Sequence, residues 1–437
     1  MAILFSKRRK SMKRKQTLLF LLAVLTIFLV GCRSGDDDKV TLNMAWWGSQ
    51  VRHDATVQVI ELFEQENPHI SIEFEFYDYE GYYTKLGTLA ASDDIWDVFQ
   101  LDNQFPQYIN QIEPLDDYVA DGLIDISNTD DTYLATTTYD GQLVGISAGV
   151  NSFAIAYNKA IFDQLGIPEP ETDWTWEEFE DISTQIVDGL GIYAISRFED
   201  FIPGAILQVA QEEKGLNFYD KESLSQRLGF DDPTLLTDYF AMRKNLVDIG
   251  AYPLPGEIDV NIDLAFQAVR DGRAAMVFIA SNQLSDLMSG AREEAEIKLI
   301  NPPRRRADGE AGLPVRSSQM FSIAENSAHK EEAAKFIDFI TNNEEANLIL
   351  NGERGVPIMS HIRERLAETG EPAIMGTFQY LETVSELDNG AVNVFDSALN
   401  PEIQNQYNLL IERVIFEELT PAEAAESIFT FASDLLE

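Results

Sequence analysis

Cysteine is almost missing: Cys32 is the only one in 437 residues. Without a second thiol no intramolecular disulfide can form, and cysteine-built metal cages and Cys/His catalytic pairs are excluded. Histidine is nearly as scarce. His53, His69, His329 and His361 are scattered, which argues against a transition-metal site. Basic residues are few once the N-terminus is passed. The net charge is −42 for the whole chain and −49 after residue 31, because residues 1–31 hold seven Lys and Arg and no acid. A surface that acidic excludes nucleic acid as a partner, since phosphate binding needs clustered Lys and Arg. It also excludes adhesion to anionic lipid through charge alone. No apolar run after Val30 is long enough to span a bilayer, which takes about 20 residues. Neither Gly-x-Ser-x-Gly nor His-Glu-x-x-His occurs. Internal repeats and a Gly/Ser/Pro-rich linker are lacking too. The length nevertheless exceeds what one core covers. Two lobes are expected, with the chain crossing between them through strands.

What is present begins with a leader. Lys7, Arg8, Arg9, Lys10, Lys13, Arg14 and Lys15 precede Leu18–Val30, a stretch that is apolar except for Thr26. Basic flank and short apolar run are the two parts of a secretory signal. A start at Met12 leaves that signal complete. Leu29-Val30-Gly31-Cys32 resembles the lipobox of bacterial lipoproteins, in which the cysteine is lipidated and becomes the first mature residue. Residues 1–31 are then the signal peptide and 32–39 a polar tether. Lipid anchoring at Cys32 places the protein on the extracellular face of the cell membrane, and several acyl chains hold where one does not.

The remainder reads as α/β. Val40–Trp47 alternates, with Val40, Leu42, Met44 and Trp46 on one face. "DATVQVIELFEQE" has helical spacing, with Asp54 as the expected N-cap and Asn67-Pro68 as the stop. Ile70–Phe76 alternates again, "YYTKLGTLAA" is helical, and Trp96–Leu101 is a third strand. Strand, helix, strand, helix, strand implies a parallel sheet. Farther on, Leu143–Ser147, Phe153–Asn158, Ile192–Ser196 and Ala274–Ala280 read as strands. Thr175 with Glu178, and Thr420-Pro421 with Glu423, are capping-box starts of helices. Leu235–Ile249, Ile262–Asp271 and Lys330–Thr341 are further helices. Asn301–Glu310, "NPPRRRADGE", is expected to be a solvated turn.

Several stretches occur together in a telling order: "WWGSQVRHDATVQVIELFEQENPHISIEFEF", "YYTKLGTLAASDDIWDVFQLD", "AYNKAIFDQLGI", "TWEEF", "AFQAVRDGRAAMVF" and "EEAAKFIDFITNNEEANLIL" followed by "RGVP". From about Val40 to Glu437 the chain resembles the family 1 extracellular solute-binding proteins of carbohydrate ABC importers. One departure is Trp96, where members usually carry proline. The resemblance implies a type II periplasmic-binding-protein-like fold of two lobes, each a mostly parallel sheet flanked by helices. It puts hinge crossings near Gly149–Phe153, Ala280–Gln283 and Arg316–Met320. The lobes are then 40–149 with 281–316, and 150–280 with 317–437. It also implies hinge closure around a sugar and delivery to ABC permease transmembrane subunits, by a monomer without cofactor, metal or catalytic residue.

Ligands in open α/β sheets sit beyond the carboxyl ends of strands. That rule selects Trp47, Ser49, Gln50 and Arg52 after the first strand, with Trp46 as core and Trp47 as an exposed stacking platform. After the third strand it selects Asp102, Asn103 and Gln104, a carboxylate with amides that pairs well with hydroxyls. It also picks Arg197 and Asp200. The crossings add Asn151, Ser281, Asn282, Gln283, Arg316, Ser317 and Gln319; Phe395 is a weak aromatic candidate. Trp174 and Trp176 are read as structural. Arg52, Arg197 and Arg316 together point to acidic oligosaccharides such as uronates. Two alternatives remain at this level: another solute (polyamine, peptide or iron complex) in the same fold, and an extracellular glycosidase. The second needs two placed carboxylates, and in a chain with 74 acids their abundance decides nothing.

Overall fold

A computed structural model describes residues 39–437, apart from 130, 199–208, 210–215, 221–222, 258–260, 293 and 388–395. Cys32 with its leader and tether, Asp200 and Phe395 lie outside the described residues.

The first lobe is built on β1 (Val40–Trp47), β2 (Ile70–Tyr77) and β3 (Val98–Leu101). β1 runs parallel to β2 in register from Val40↔Ile70 to Trp47↔Tyr77, and parallel to β3 on its other side. Helix α1 (Gln50–Glu66) starts three residues after β1 ends. Its N-cap is therefore Ser49, whose hydroxyl accepts from the Arg52 amide, rather than Asp54. Asp54 is a surface acid that accepts from the Gln50 amide at 2.8 Å. The expected stop at Asn67 holds. Helix α2 (Tyr79–Ser92) is capped by Asp78.

After the short strands β4 (Ile112–Glu113), β5 (Thr138–Tyr139) and β6 (Gln142–Leu143), β7 (Ile146–Asn151) is the last strand of the first lobe before Ser152. β8 (Phe153–Asn158) already belongs to a second sheet with β9 (Tyr193–Ile195), β10 (Ala274–Ala280) and β11 (Ile297–Ile300), in the order β11-β8-β10-β9. β12 (Arg316–Ala324) returns to the first sheet. It inserts antiparallel to β3, β4 and β7, completing the order β2-β1-β3-β12-β4.

Two expectations are corrected here. The sheets are mixed: β1 with β2 and β3, and β9 with β10, are parallel, whereas β12 and β8 pair antiparallel with every neighbour. The division of the chain also differs from 281–316 in the first lobe and 317–437 in the second. β11 hydrogen-bonds to β8, and the following loop docks on the second lobe, where the Trp174 and Trp176 indoles donate to Asn301 O and Pro303 O at 2.8 and 3.1 Å. That docking confirms the structural role of both tryptophans. It also buries Asn301 and Arg304 in a segment expected to be solvated. Conversely, α7 (Lys330–Asn342) packs on the first lobe, with Phe336 and Phe339 edge-on to Phe63 of α1 at 5.1 and 5.3 Å. Only the last helices, α10 (Asn400–Ile415) and α11 (Pro421–Leu436), join the second lobe, through Tyr407 against Phe240.

Helix ends follow the sequence closely. α3 (Trp176–Leu190) and α11 each carry a complete capping box, at Thr175/Glu178 and Thr420/Glu423. α4 (Thr237–Asp248), α5 (Ile262–Arg270) and α6 (Leu284–Ser289) follow in the second half. α8 (Glu344–Leu350) rests on α1, while α9 (Pro372–Glu386) spans the junction. The Tyr380 hydroxyl of α9 donates to Phe153 O, and Thr377 donates to Ser281 O at 3.2 Å. Among the described residues no helix is long and apolar enough to cross a membrane.

Candidate functional site

Between the two sheets the crossings converge. Asn151, the last residue of β7, pairs in register with Arg316, the first of β12. Its side-chain amide donates to Asn282 Oδ1 at 2.9 Å. Ser281 is spent on the hinge itself: its amide donates to Ser152 O at 2.9 Å and its hydroxyl accepts from the Ser152 amide. Ser317 shares a 2.8 Å hydroxyl contact with Ser147, again inside the crossing. Three stretches far apart in sequence thus meet at one point, with Asn151, Asn282 and Arg316 side by side. Arg316 is buried, lies over the Phe153 ring, and donates to Asp396 Oδ2 at 3.2 Å.

On the first-lobe side the wall is aromatic and acidic. β alternation sends Trp46 and Trp47 to opposite faces. Trp46 is fully buried, as expected. Trp47 is not the exposed platform the sequence suggested: only 7% of it is accessible, because Tyr79, Tyr82 and Tyr83 of α2 close on it with ring centres 5.0 to 5.6 Å away. The aromatic surface that reaches solvent is Tyr79, 43% exposed. Its hydroxyl donates to Asp102 Oδ2 at 2.8 Å, and Tyr83 donates to Oδ1 at 2.7 Å. The Gln104 backbone amide is a third donor to Asp102, and the Gln104 side chain reaches the Tyr79 hydroxyl. Burial pushes the Asp102 carboxyl up from its ordinary range. Its three hydrogen bonds oppose that shift, and the charge of Asp396 adds to it. The two carboxylates are therefore close enough for the charge of Asp396 to act on Asp102. Asn103 beside them is half-buried and its side chain has no partner among the described residues.

The remaining sequence candidates have structural duties. Ser49 and Gln50 serve the start of α1. Arg52 makes a two-point ion pair with Glu353, its Nη2 donating to Oε1 at 3.1 Å, and a further bond to Trp47 O. Arg197 is half-buried at the end of β9, where its carbonyl accepts from the Phe278 amide at 2.8 Å. Gln319 accepts from Arg354.

Sequence reasoning missed Tyr79, Asp396, Glu353 and Arg354. Arg354 is the most consequential. It enters between the first-lobe elements from the turn after α8. Nη2 donates to Thr56 Oγ1 of α1 at 2.8 Å, and Nη1 donates to Gln319 Oε1 of β12 at 3.1 Å and to Gln100 of β3. Burial pulls its pKa down to about 9, and Arg52 contributes to the fall. Next to it the turn joins the hinge: Val150 and Val356 exchange backbone hydrogen bonds at 2.8 and 2.9 Å. One guanidinium thus ties α1, β3 and β12 together beside the first crossing.

His53 sits in the same neighbourhood. Its Nδ1 accepts from the Trp46 indole at 3.0 Å, and its ring stacks on Phe76 at 4.1 Å. Burial holds its pKa below the ordinary value, helped by Arg52 and Arg354. In the unfolded chain the ring takes a proton near pH 6.5. The folded protein refuses it, so His53 makes stability fall as pH drops below that point. A His53→Asn variant keeps an acceptor for the indole and has no such titration. Urea unfolding at pH 7.5 and 5.5 should show the wild type losing about 1 kcal/mol more than the variant. Equal losses would refute the assignment.

With this geometry in place, comparison with known proteins decides the family. A profile of the bacterial extracellular solute-binding proteins matches residues 48–347. The chain belongs to that family. Among solved structures, a periplasmic oligogalacturonide-binding protein of Yersinia enterocolitica, bound to saturated digalacturonic acid, superposes with a TM-score of 0.77 at 22% identity, over 91% of this chain and 99% of that one. An ABC substrate-binding protein of Listeria monocytogenes in complex with cycloalternan gives 0.75 at 19% identity, over 91% and 99%. These likenesses establish the two-lobe fold. A lipoprotein of Streptomyces antibioticus is 24% identical over 348 residues, covering 73% of this chain and 71% of its own. The chain is a solute-binding protein of the ABC-importer type.

Proposed function

We propose that this solute-binding protein is a lipid-anchored receptor that captures an oligosaccharide between its lobes, closes at the hinge and delivers it to an ABC permease. The observation that carries the reading is the convergence of Asn151, Asn282 and Arg316 at the crossings, together with Asp102 and Asp396. Amides and carboxylates pair with hydroxyls in both directions, and Tyr79 offers a ring face for a sugar to stack on. The names of solved relatives, which bind a galacturonide and cycloalternan, support a saccharide ligand.

Catalysis has no part in this reading. Asp102 accepts from three protein donors. Anchoring at Cys32 is supported by the leader pattern and by the lipoprotein relative. Thermal unfolding of the purified protein against mono- and oligosaccharides, polyamines and ferric citrate tests the ligand class. A ligand that binds only the folded state raises the midpoint, by about 3 kcal/mol of stability at a hundredfold excess over Kd. A rise with a saccharide is expected, and a rise with polyamine or iron complex alone contradicts the proposal. For the anchor, the wild type should sediment with membranes and a Cys32→Ala variant should not.

A further inference from the structure

We infer that the saccharide taken by this cleft carries no carboxylate and presents hydroxyl or ammonium donors to Asp102 and Asp396; the inference rests on the reading of the cleft as a sugar site. The argument is a charge count made on contacts. Arginine content alone points to uronates, but Arg52 and Arg316 are already committed. Arg52 is held by both oxygens of Glu353 and by Trp47 O. Arg316 is held by Asp396. Neither guanidinium presents a free fork to a ligand carboxylate, which is the geometry that bidentate recognition requires.

The carboxylates tell the complementary story. Asp396 is only 7% exposed, and its Oδ1 is buried without a hydrogen-bond partner. A buried acceptor left unmade is costly, and a ligand donor that reaches it removes the cost. Asp102 lies within the reach of that charge. Its three protein donors leave lone-pair capacity on a group that accepts about four bonds. The unpartnered Asn103 amide stands next to it. A hydroxyl-rich or amine-bearing ring supplies what these groups lack. A uronate would bring a further negative charge beside Asp102, which accepts only neutral donors, and beside Asp396, whose single charge is already balanced by Arg316, and like charges brought together as closure removes water weaken binding. The Yersinia galacturonide binder shares the fold. Fold therefore leaves ligand charge open, and the side chains at the crossings settle it.

The test uses the purified protein and titration calorimetry. The probes are maltotriose, cellotriose, the fully deacetylated glucosamine trimer, and trigalacturonate beside its methyl ester. The expected result is that a neutral or amine-bearing trimer binds and that trigalacturonate binds at least about a hundredfold more weakly than the best of them. In Asp102→Asn, whose unliganded unfolding midpoint is measured alongside, that ratio should narrow by about tenfold. Trigalacturonate binding as tightly as the best neutral trimer overturns the inference and leaves the receptor reading standing. Binding of none of the probes at millimolar concentration overturns both. A ratio unchanged in Asp102→Asn overturns the role given to that carboxylate.

Discussion

Replacing Arg354 with alanine should cost about 3–5 kcal/mol of folding stability, the range seen when one member of a buried charged network is removed. For a chain of this size that lowers the thermal midpoint by roughly 4–6 °C. The reason is the number of elements that close on one side chain. Thr56 of α1, Gln100 of β3 and Gln319 of β12 all accept from it, and its guanidinium lies 5.1 Å from the centre of the Phe321 ring. Alanine leaves a cavity and strands three polar groups. Arg354→Met separates the two effects, because it refills most of the volume and restores none of the hydrogen bonds. Its midpoint should fall between those of wild type and Arg354→Ala. Midpoints within about 2 °C of wild type for both variants would show that the network is dispensable.

Gly355→Ala should be nearly as damaging, at about 3 kcal/mol, and should weaken ligand binding as well. Gly355 has φ +111, a backbone conformation that side chains resist. A Cβ there would stand 2.8 Å from both Ser318 Oγ and Val150 O. Across from it, a Cβ on Gly149 would meet Arg354 O at 2.7 Å and Gly355 C at 2.8 Å. The two glycines let the first crossing and the turn after α8 run in backbone contact, which is how the Val150–Val356 hydrogen bonds form. Gly122→Ala is the control. Its φ is +73 but a Cβ meets nothing within 4 Å, so only the conformational cost of about 1 kcal/mol remains. Equal midpoints for the two variants would mean that the close approach at the hinge carries no load.

Much of this architecture is local and therefore legible in the sequence. Ala274–Ala280 is a continuous apolar run and forms a strand with those same ends. The Thr420-Pro421 start and the Thr175/Glu178 box are written in adjacent residues and appear as bonded caps. Where the reading slipped, the cause was a partner distant in the chain. β3 begins at Val98 rather than Trp96 because the Trp96 indole turns to Glu75 and the Asp97 carboxylate takes the Asn43 amide. β12 carries Arg316, Ser317, Ser318, Gln319 and Ser322, and nothing near it tells that it forms a buried strand, returns to the first sheet and reverses the expected division of lobes.

The site divides in the same way. Asp102 and Asn103 lie at a strand end, where a general rule for open sheets finds them, whereas Asn151, Asn282 and Arg316 lie at crossings that the family resemblance implied. Arg354 and Asp396 owe their importance to Gln100 and Arg316, 254 and 80 residues away. Trp47 shows the limit of alternation: period two gives the face correctly but not what covers it. The "YDYEGYYTK" run was the available signal, since three tyrosines at helical spacing beside a strand end make a lid for an indole.

The measurement that bears most directly on the account is the distance between the lobes with and without ligand. Cys32 is the only native thiol, so Cys32→Ala leaves a clean background for two dyes. Glu61→Cys on α1 and Glu412→Cys on α10 are exposed positions on opposite lobes. Energy transfer between them should change in one saturable step as a neutral saccharide is added, at the same concentrations that raise the thermal midpoint. Binding that stabilises the protein while the transfer efficiency stays constant would contradict capture by closure at this hinge.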